Sequence, residues 1–305
     1  MRVTDAFILA AALPTLASPP PARTDRHHLE PVPVTVPGRD LPVIREHTYR
    51  MAGKVRMLLL WVGRDDVGTA VIKWRGAGSA RAVELVIGAD PQRAPGKLNK
   101  WGYLVEDTRH GNTSTVAFIS QESDDRLSDV QAGLAKTADL RAFDTVRGFV
   151  TGAFGNARVG TLHAASDLTY RDADRVLGEV LSDSSLGFKR VPRTAGVRAG
   201  FIRTLVELMD AGIAGARAVD ARPYIHGDKV YALRLLDATR QARFERDGHT
   251  FRDVIRGRFE TGQAGARSAT RFDLVYGASG ALAGIPIVIS YQPKWWLHVD
   301  LVLTT

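Results

Sequence analysis

The chain of 305 residues contains no cysteine. This absence excludes a disulfide framework, a zinc–thiolate site and a lipid-modified N-terminal cysteine. The eight histidines also lack the His-x-x-x-His spacing of a helical metal site. We therefore predict no metal and no cofactor, and a fold that is stabilised by its hydrophobic core without covalent cross-links.

Long uncharged apolar runs are missing as well, because every twenty-residue window contains charged or turn-forming residues. A transmembrane helix needs about twenty consecutive apolar residues, so we expect no transmembrane segment. The chain has no Gly-x-Ser-x-Gly sequence, the elbow that carries the nucleophile of many serine hydrolases. These absences favour a non-enzymatic protein, and we assign no catalytic residue.

The N-terminal segment has the features of an export signal. Arg2 precedes a short apolar segment at residues 6–13, and mostly small residues follow at 15–18. This order predicts a signal peptide at residues 1–17 that is cleaved after Ala17. The alternatives are an ordinary N-terminal helix and a mis-assigned start codon. Residues 18–42 contain seven prolines, which favour extended backbone, so we interpret them as a flexible linker. We expect a bacterial protein that is periplasmic or secreted.

The charge balance is basic. The chain has 41 lysines and arginines against 33 acidic residues, a formal net charge of +8. Such a balance favours anionic partners, for example phospholipid head groups or acidic polymers of the cell envelope. The chain lacks a long Lys/Arg run, and the export signal also argues against nucleic acid, which we exclude as a partner. Genome composition is an equally good explanation of the arginine enrichment.

Period-two alternation of apolar residues dominates the chain, which indicates half-buried strands. The final segment shows it most clearly, since Trp295, Leu297, Val299, Leu301 and Leu303 alternate with the residues between them. Short turns separate most strands, so we expect antiparallel pairing. An early turn is predicted at residues 63–66, and short amphipathic helices at residues 172–181 and 197–211.

The predicted fold class is mainly β with some α (α+β), a curved antiparallel sheet or open β-barrel with two or three short amphipathic helices. We place the β-rich domain at residues 43–305. Two sub-sheets within it, residues 43–165 and 213–305, are an alternative in which residues 166–212 form a helical connection. The oligomeric state is left open.

The C-terminal third contains three short motifs in a fixed order: residues 225–231 (IHGDKVY), residues 247–256 (DGHTFRDVIR) and residues 283–289 (AGIPIVI). In this order they resemble a family of uncharacterised exported bacterial proteins, a domain of unknown function. Residues 49–72 look like the first hairpin of that family, and with them the resemblance covers about half of the mature chain, in two pieces. It implies a curved antiparallel sheet or open barrel. Periplasmic lipoprotein-carrier proteins share that architecture in outline. The family has no established catalytic residues to carry over.

A curved sheet that is not filled by its own side chains encloses a cavity for an apolar ligand. The residues that we expect to line such a cavity are apolar or aromatic and lie on predicted strands: Leu59, Trp61, Phe251, Phe259 and Trp295. A stripe of arginines on the opposite face of one of these strands is expected to meet anionic groups: Arg252, Arg256 and Arg258. The alternatives are a packed core and a solvated face balanced by carboxylates on the next strand.

Three hypotheses about function follow from these patterns. The first is a non-enzymatic periplasmic or cell-envelope protein that binds an apolar or lipid-like ligand with anionic groups. The second is an envelope scaffold or interaction protein with a filled barrel. The third is a hydrolase of envelope polymers that uses Asp65, Asp66, Glu84 or Asp90. His298 is either a proton carrier or, as we favour, an exposed sheet residue paired with Asp300 or with a cross-strand neighbour.

Overall fold

The computed structural model describes residues 36–57, 60–121, 140–193, 196–266, 269–294 and 297–304. Within these ranges fifteen strands form one large, curved sheet that does not close on itself. The same ranges contain two short α-helices beside the sheet, which confirms the predicted fold class. The predicted signal peptide and most of the predicted linker lie outside the described residues.

The strands are β1 (Val43–Met57), β2 (Leu60–Ala77), β3 (Ala80–Ala89), β4 (Trp101–Arg109), β5 (Asn112–Gln121), β6 (Leu140–Thr151), β7 (Phe154–Ala165), β8 (Gly187–Pro192), β9 (Arg198–Ala199), β10 (Val219–His226), β11 (Lys229–Arg246), β12 (His249–Gln263), β13 (Thr270–Gly277), β14 (Pro286–Lys294) and β15 (Leu297–Leu303). The helices are α1 (Ala173–Ser182) and α2 (Phe201–Ile213). None of the described helices is long and apolar enough to cross a membrane.

The first and last strands of the chain, β1 and β15, pair with each other near the middle of the sheet. β2 to β8 follow one another on one side of β1, and β14 to β9 follow one another on the far side of β15. β1 and β15 are antiparallel, with Tyr49 opposite Leu303 and Met51 opposite Leu301. All other neighbours are antiparallel except β9, which runs parallel to β10. β15 thus pairs with its predecessor β14 on one side and with β1 of the first hairpin on the other.

The two helices lie on opposite faces of the sheet. In β4, Trp101, Tyr103 and Val105 belong to the same core cluster as the buried face of α1, whereas Leu104 clusters with Ile202 of α2. Successive residues of a strand point to opposite faces, so the sheet separates α1 from α2. The observed bounds of both helices lie close to those predicted from the 3.6-residue spacing.

One predicted turn is wrong. Residues 63–66 do not reverse the chain, because β2 runs through them from Leu60 to Ala77. The register of β1 against β2 shifts between Met51 and Gly53, opposite this stretch, and Asp66 has a φ of 59°. The polar sequence therefore forms a β-bulge, which tolerates a left-handed residue as a turn does.

The final strand is covered on both faces. Leu297, Leu301 and Leu303 are buried as predicted, but Asp300 and Val302 on the other face are buried too. The tip of the β11–β12 hairpin reaches this second face, where Arg246 donates a hydrogen bond to Asp300 at 3.1 Å. Long-range packing of this kind leaves no trace in the alternation of a single strand.

Candidate functional site

The aromatic residues predicted to line a cavity occupy different environments. Phe251 and Phe259 belong to the main core cluster, and Phe259 is stacked on Phe272 with the ring centroids 5.4 Å apart. Trp61 lies outside that cluster, and 45% of its surface is exposed. Leu59 and Trp295 lie outside the described residues. Around Phe259 the interior is therefore filled by neighbouring side chains.

The predicted arginine stripe is on an exposed face of β12. Arg252, Arg256 and Arg258 are all exposed, and Arg258 forms an ion pair with Asp273 of β13, Nε to Oδ1, at 3.3 Å. Arg252 lies opposite Arg243 of β11. One of the three arginines is thus balanced by a carboxylate on the next strand, and the other two remain candidates for anion binding.

The carboxylates considered for hydrolase chemistry are each held by arginine. The buried Glu84 is bound by Arg75 at 3.1 Å, and its other oxygen accepts a hydrogen bond from Tyr103 at 3.0 Å. Arg93 joins Asp66 to Asp90. Glu84, Asp66 and Asp90 are thus each engaged in an ion pair within the fold.

His298 pairs with Asp300, as we favoured from the sequence, with Nε2 2.8 Å from Oδ1. Burial by itself would raise the pKa of Asp300, but hydrogen bonds from His298 and Ser290 and the nearby charge of Arg246 hold this pKa well below its usual range. Asp300 is therefore an ionised structural anchor between β14, β15 and the β11–β12 hairpin. In the part of the chain that the structure describes, no cluster of three or more His, Asp or Glu has the arrangement of a metal site.

A surface that combines phenylalanine with arginine lies at the β8 edge of the sheet. Three aromatic residues on one face of β6, β7 and β8 are exposed: Phe149 (43%), Phe154 (49%) and Phe188 (60%). The same face carries three arginines: Arg147, Arg158 and Arg190. We call these six residues the edge surface.

Strand register places the six residues of the edge surface on one face. Arg147 lies directly opposite Arg158 in the β6–β7 pair, and Arg158 lies opposite Phe188 in the β7–β8 pair. Directly opposed residues of an antiparallel pair share a face. The tight β6–β7 turn is possible because Gly152 adopts a φ of 56°, which side-chain-bearing residues rarely do.

Helix α1 ends where the edge surface begins. Phe143 of β6 is buried in the cluster beneath α1, and the arginines further along the face reach the chain just after the helix. Arg147 donates to the carbonyl of Leu181 at 2.9 Å, and Arg158 donates to the carbonyl of Ser184 at 3.3 Å. The helix thus leaves the last part of this face uncovered.

The electrostatics of the edge surface are those of an unbalanced cationic site. Among the described residues, Arg147, Arg158 and Arg190 form no ion pair with a carboxylate. Partial burial and the charge of Arg158 lower the pKa of Arg147. The Arg190 guanidinium lies 4.9 Å from the ring centroid of Phe154, in a cation–π contact. The surface can therefore accept an anionic group beside apolar atoms.

The edge surface is not evident from the sequence. The alternation in β6 and β7 was visible, but β8 is only six residues long and ends in Pro192, so it carries no strand signal. Without β8, Phe188 and Arg190 have no place beside Phe154. The detectable signal was the repeated presence of Phe and Arg within residues 147–190.

Comparisons with known proteins assign no family to this chain. No family model and no curated protein matches it. Among solved structures, it is similar to the crystal structure of a "putative lipoprotein" from Parabacteroides distasonis, with 8% sequence identity over 88% of this chain and 98% of the other. The TM-score is 0.28. A similarity at this level assigns neither a fold family nor a function.

Proposed function

We propose that the protein is an exported, non-enzymatic protein of the bacterial cell envelope that binds a lipid-like molecule with anionic groups at its edge surface. The observation that supports this most directly is the contact between Arg190 and Phe154 beside Arg158, which has no carboxylate partner among the described residues. Guanidinium groups bind phosphate in two-pronged geometry, and exposed phenyl rings next to them cover apolar chains. The predicted signal peptide supports export.

The filled core supports binding at the surface over binding in an interior cavity. Phe259 is fully buried against Phe272, and Phe251 is also in the core. A ligand in that region would have to displace packed side chains, which costs several kcal/mol for each large residue. The same packing favours the second hypothesis, an interaction protein with a filled barrel, whose partner would then be a protein.

The expected affinity is modest. Covering a half-exposed phenylalanine contributes about 1 kcal/mol, and a hydrogen bond from arginine to a charged group about 1.5–3 kcal/mol. The loss of translational and rotational freedom offsets a large part of this sum, so we expect a dissociation constant roughly between micromolar and millimolar.

The test uses a soluble short-chain lipid. The full chain is titrated calorimetrically with dihexanoyl phosphatidylglycerol below its critical micelle concentration, and separately with dihexanoyl phosphatidylcholine. We expect binding of the anionic lipid only, and a loss of about tenfold or more in affinity when Arg158→Gln and Arg190→Gln are combined.

The matched control removes two arginines from the stripe predicted on β12, by Arg256→Gln with Arg258→Gln. It lowers the net charge by the same amount on another exposed face. An unchanged affinity in this control supports the edge surface. A loss in the control alone would place the site on β12, and equal binding of the neutral lipid by the wild-type protein would contradict the proposal.

A further inference from the structure

The hairpin end of β1 and β2 exposes large apolar side chains next to basic ones. The register is regular up to the end, with Arg56 opposite Trp61 and Lys54 opposite Gly63. Trp61 and Val62 are 45% and 55% exposed, and Lys54 and Arg64 are exposed as well. We call Lys54, Trp61, Val62 and Arg64 the tip surface.

The composition of this hairpin end is unusual for a turn in water. Hairpin connections are normally built from Gly, Asn or Asp, which adopt left-handed backbone and are hydrophilic. Here β1 ends at Met57 and β2 begins at Leu60, and residues 57–62 read MLLLWV, without a polar residue. Leu58 and Leu59, which join the strands, lie outside the described residues. Among the described residues of this end, Trp61 and Val62 are exposed, and neighbouring exposed apolar side chains indicate a surface that is covered by something else.

We propose that the tip surface docks on an anionic lipid bilayer, with Trp61 and Val62 entering the interfacial region and Lys54 and Arg64 meeting the head groups. Tryptophan prefers the membrane–water interface because its ring has a large apolar body and one polar N–H. Lysine and arginine just behind an apolar tip are attracted by anionic head groups.

The spacing along the strands fits this arrangement. A strand advances about 3.3 Å per residue, so Arg64 lies about 10 Å from Trp61 along β2. Lys54 is opposite Gly63 and therefore lies about 7 Å from the level of Trp61, in the same direction. Interfacially bound elements enter the head-group region by about 5–10 Å. The basic side chains therefore stand at head-group level when the apolar residues are inserted.

Charge complementarity identifies the occupant. Lys54 and Arg64 have no carboxylate partner among the described residues. The adjacent Asp65 is turned toward Arg50, with 3.7 Å between Oδ1 and Nη1, and Asp66 pairs with Arg93. The local acidic residues are thus neutralised while the two tip cations are left free. A second copy of this chain would bring like charges together, so a bilayer is the better partner.

The tip surface is independent of the edge surface. In an antiparallel meander, successive turns alternate between the two ends of the sheet. The β1–β2 connection lies at one end, whereas the β6–β7 turn next to Phe149 and Phe154 lies at the other. Failure of either proposal leaves the other intact, because different variants test them.

The test is co-sedimentation of the full chain with vesicles of phosphatidylcholine alone or mixed with phosphatidylglycerol. We expect binding to the mixed vesicles that weakens as salt is added. Trp61→Ser with Val62→Ser is expected to lower the partition coefficient by about tenfold or more. Lys54→Gln with Arg64→Gln is expected to remove the preference for anionic vesicles.

Matched controls lie at the other end of the same strand. Val43 and Ile44 are 44% and 60% exposed, so Val43→Ser with Ile44→Ser removes comparable apolar surface, and Arg45→Gln removes an exposed charge. These variants should bind vesicles like the wild-type protein. All substituted residues are exposed, and unchanged thermal melting confirms that each variant is folded.

Several outcomes would overturn the bilayer proposal. One is wild-type protein that stays in the supernatant with anionic vesicles, and another is a Trp61/Val62 variant that binds as well as the wild type. A third is a variant whose main change is the loss of a dimer in sedimentation, which would make a second copy the occupant. Binding of dihexanoyl phosphatidylglycerol is expected to be unaffected by the tip variants, which separates this result from the proposed function.

Discussion

The buried carboxyl group of Glu106 couples the β4 strand to the start of helix α2, and its substitution by glutamine tests that coupling. Glu106 is only 4% exposed. Its two oxygens accept hydrogen bonds from the backbone N–H groups of Ile202 at 2.9 Å and Arg203 at 3.1 Å. These N–H groups belong to the first turn of α2 and have no partner within the helix. The side chain thus acts as a cap supplied by a distant strand.

Burial raises the pKa of Glu106 from its reference value of 4.5 to about 7, although the backbone N–H groups and the charge of Arg203 act in the opposite direction. Glu106 in turn affects Tyr224, whose pKa is raised by burial and also by the charge of Glu106. Because the pKa is higher in the folded than in the unfolded chain, the folded state holds the proton more tightly. The contribution of Glu106 to the free energy of unfolding is therefore fully present below about pH 4.5 and is lost as the pH rises through about 7.

The magnitude follows from the two pKa values. Each tenfold difference in proton affinity corresponds to about 1.4 kcal/mol, so the Glu106 contribution falls by roughly 2 to 3 kcal/mol between about pH 5 and pH 8. Glu106→Gln cannot ionise. We therefore expect the free energy of unfolding of the wild type, minus that of the variant, to decrease by this amount over the same range.

The assay is equilibrium urea unfolding of both proteins at several pH values, with equal slopes of free energy against urea as the check that unfolding is comparable. Subtraction removes other titrating groups, since they are shared. A difference that stays constant from pH 5 to pH 8 would refute the argument that Glu106 titrates in this range. A difference that increases with pH would mean that the N–H groups of α2 outweigh burial.

Two further predictions concern the core. Burial lowers the pKa of His226 from 6.5 to about 4. The contribution of this group to the free energy of unfolding is therefore fully present above about pH 6.5 and is lost as the pH falls toward 4. In His226→Phe the free energy of unfolding should depend less on pH in this range, and an unchanged pH dependence would show that the ring is not buried. Phe259→Ala should cost about 3–5 kcal/mol in urea unfolding because Phe259 is fully buried against Phe272. A cost below about 1 kcal/mol would instead indicate an unfilled interior at this position, as a carrier would need.

The sequence was most informative where a residue's environment depends on its own strand or helix. The alternation of the final strand predicted that one of its faces is buried, and 3.6-residue spacing located both helices near their observed bounds. Phe251 and Phe259, which were expected to line a cavity, are buried in the core. In each case local periodicity reports which face meets the core.

The sequence was least informative where the environment depends on a distant segment. Asp300 is buried because Arg246, carried by the β11–β12 hairpin, reaches it, and nothing near either residue signals the contact. The edge surface exists because β8 pairs with β7. The sequence of β8, six residues that end in proline, does not predict this pairing. The polar residues 63–66 were compatible with a turn or a bulge, and the register of β1 decided between them.

The pairing of β1 with β15 has a consequence for how the chain reaches its native state. Thr304 is hydrogen-bonded to the carbonyl of Thr48, 256 residues away in sequence, whereas most other strand neighbours follow one another directly. The half of the sheet from β1 to β8 and the half from β9 to β15 are built mainly from local strand pairs that form quickly. Pairing of β1 with β15, which joins the two halves, is a long-range contact and therefore forms slowly. Until that pairing forms, β1 has an unpaired edge, which is a site for pairing with other chains. The protein is therefore most prone to intermolecular strand pairing after the two halves of the sheet have formed and before β1 pairs with β15.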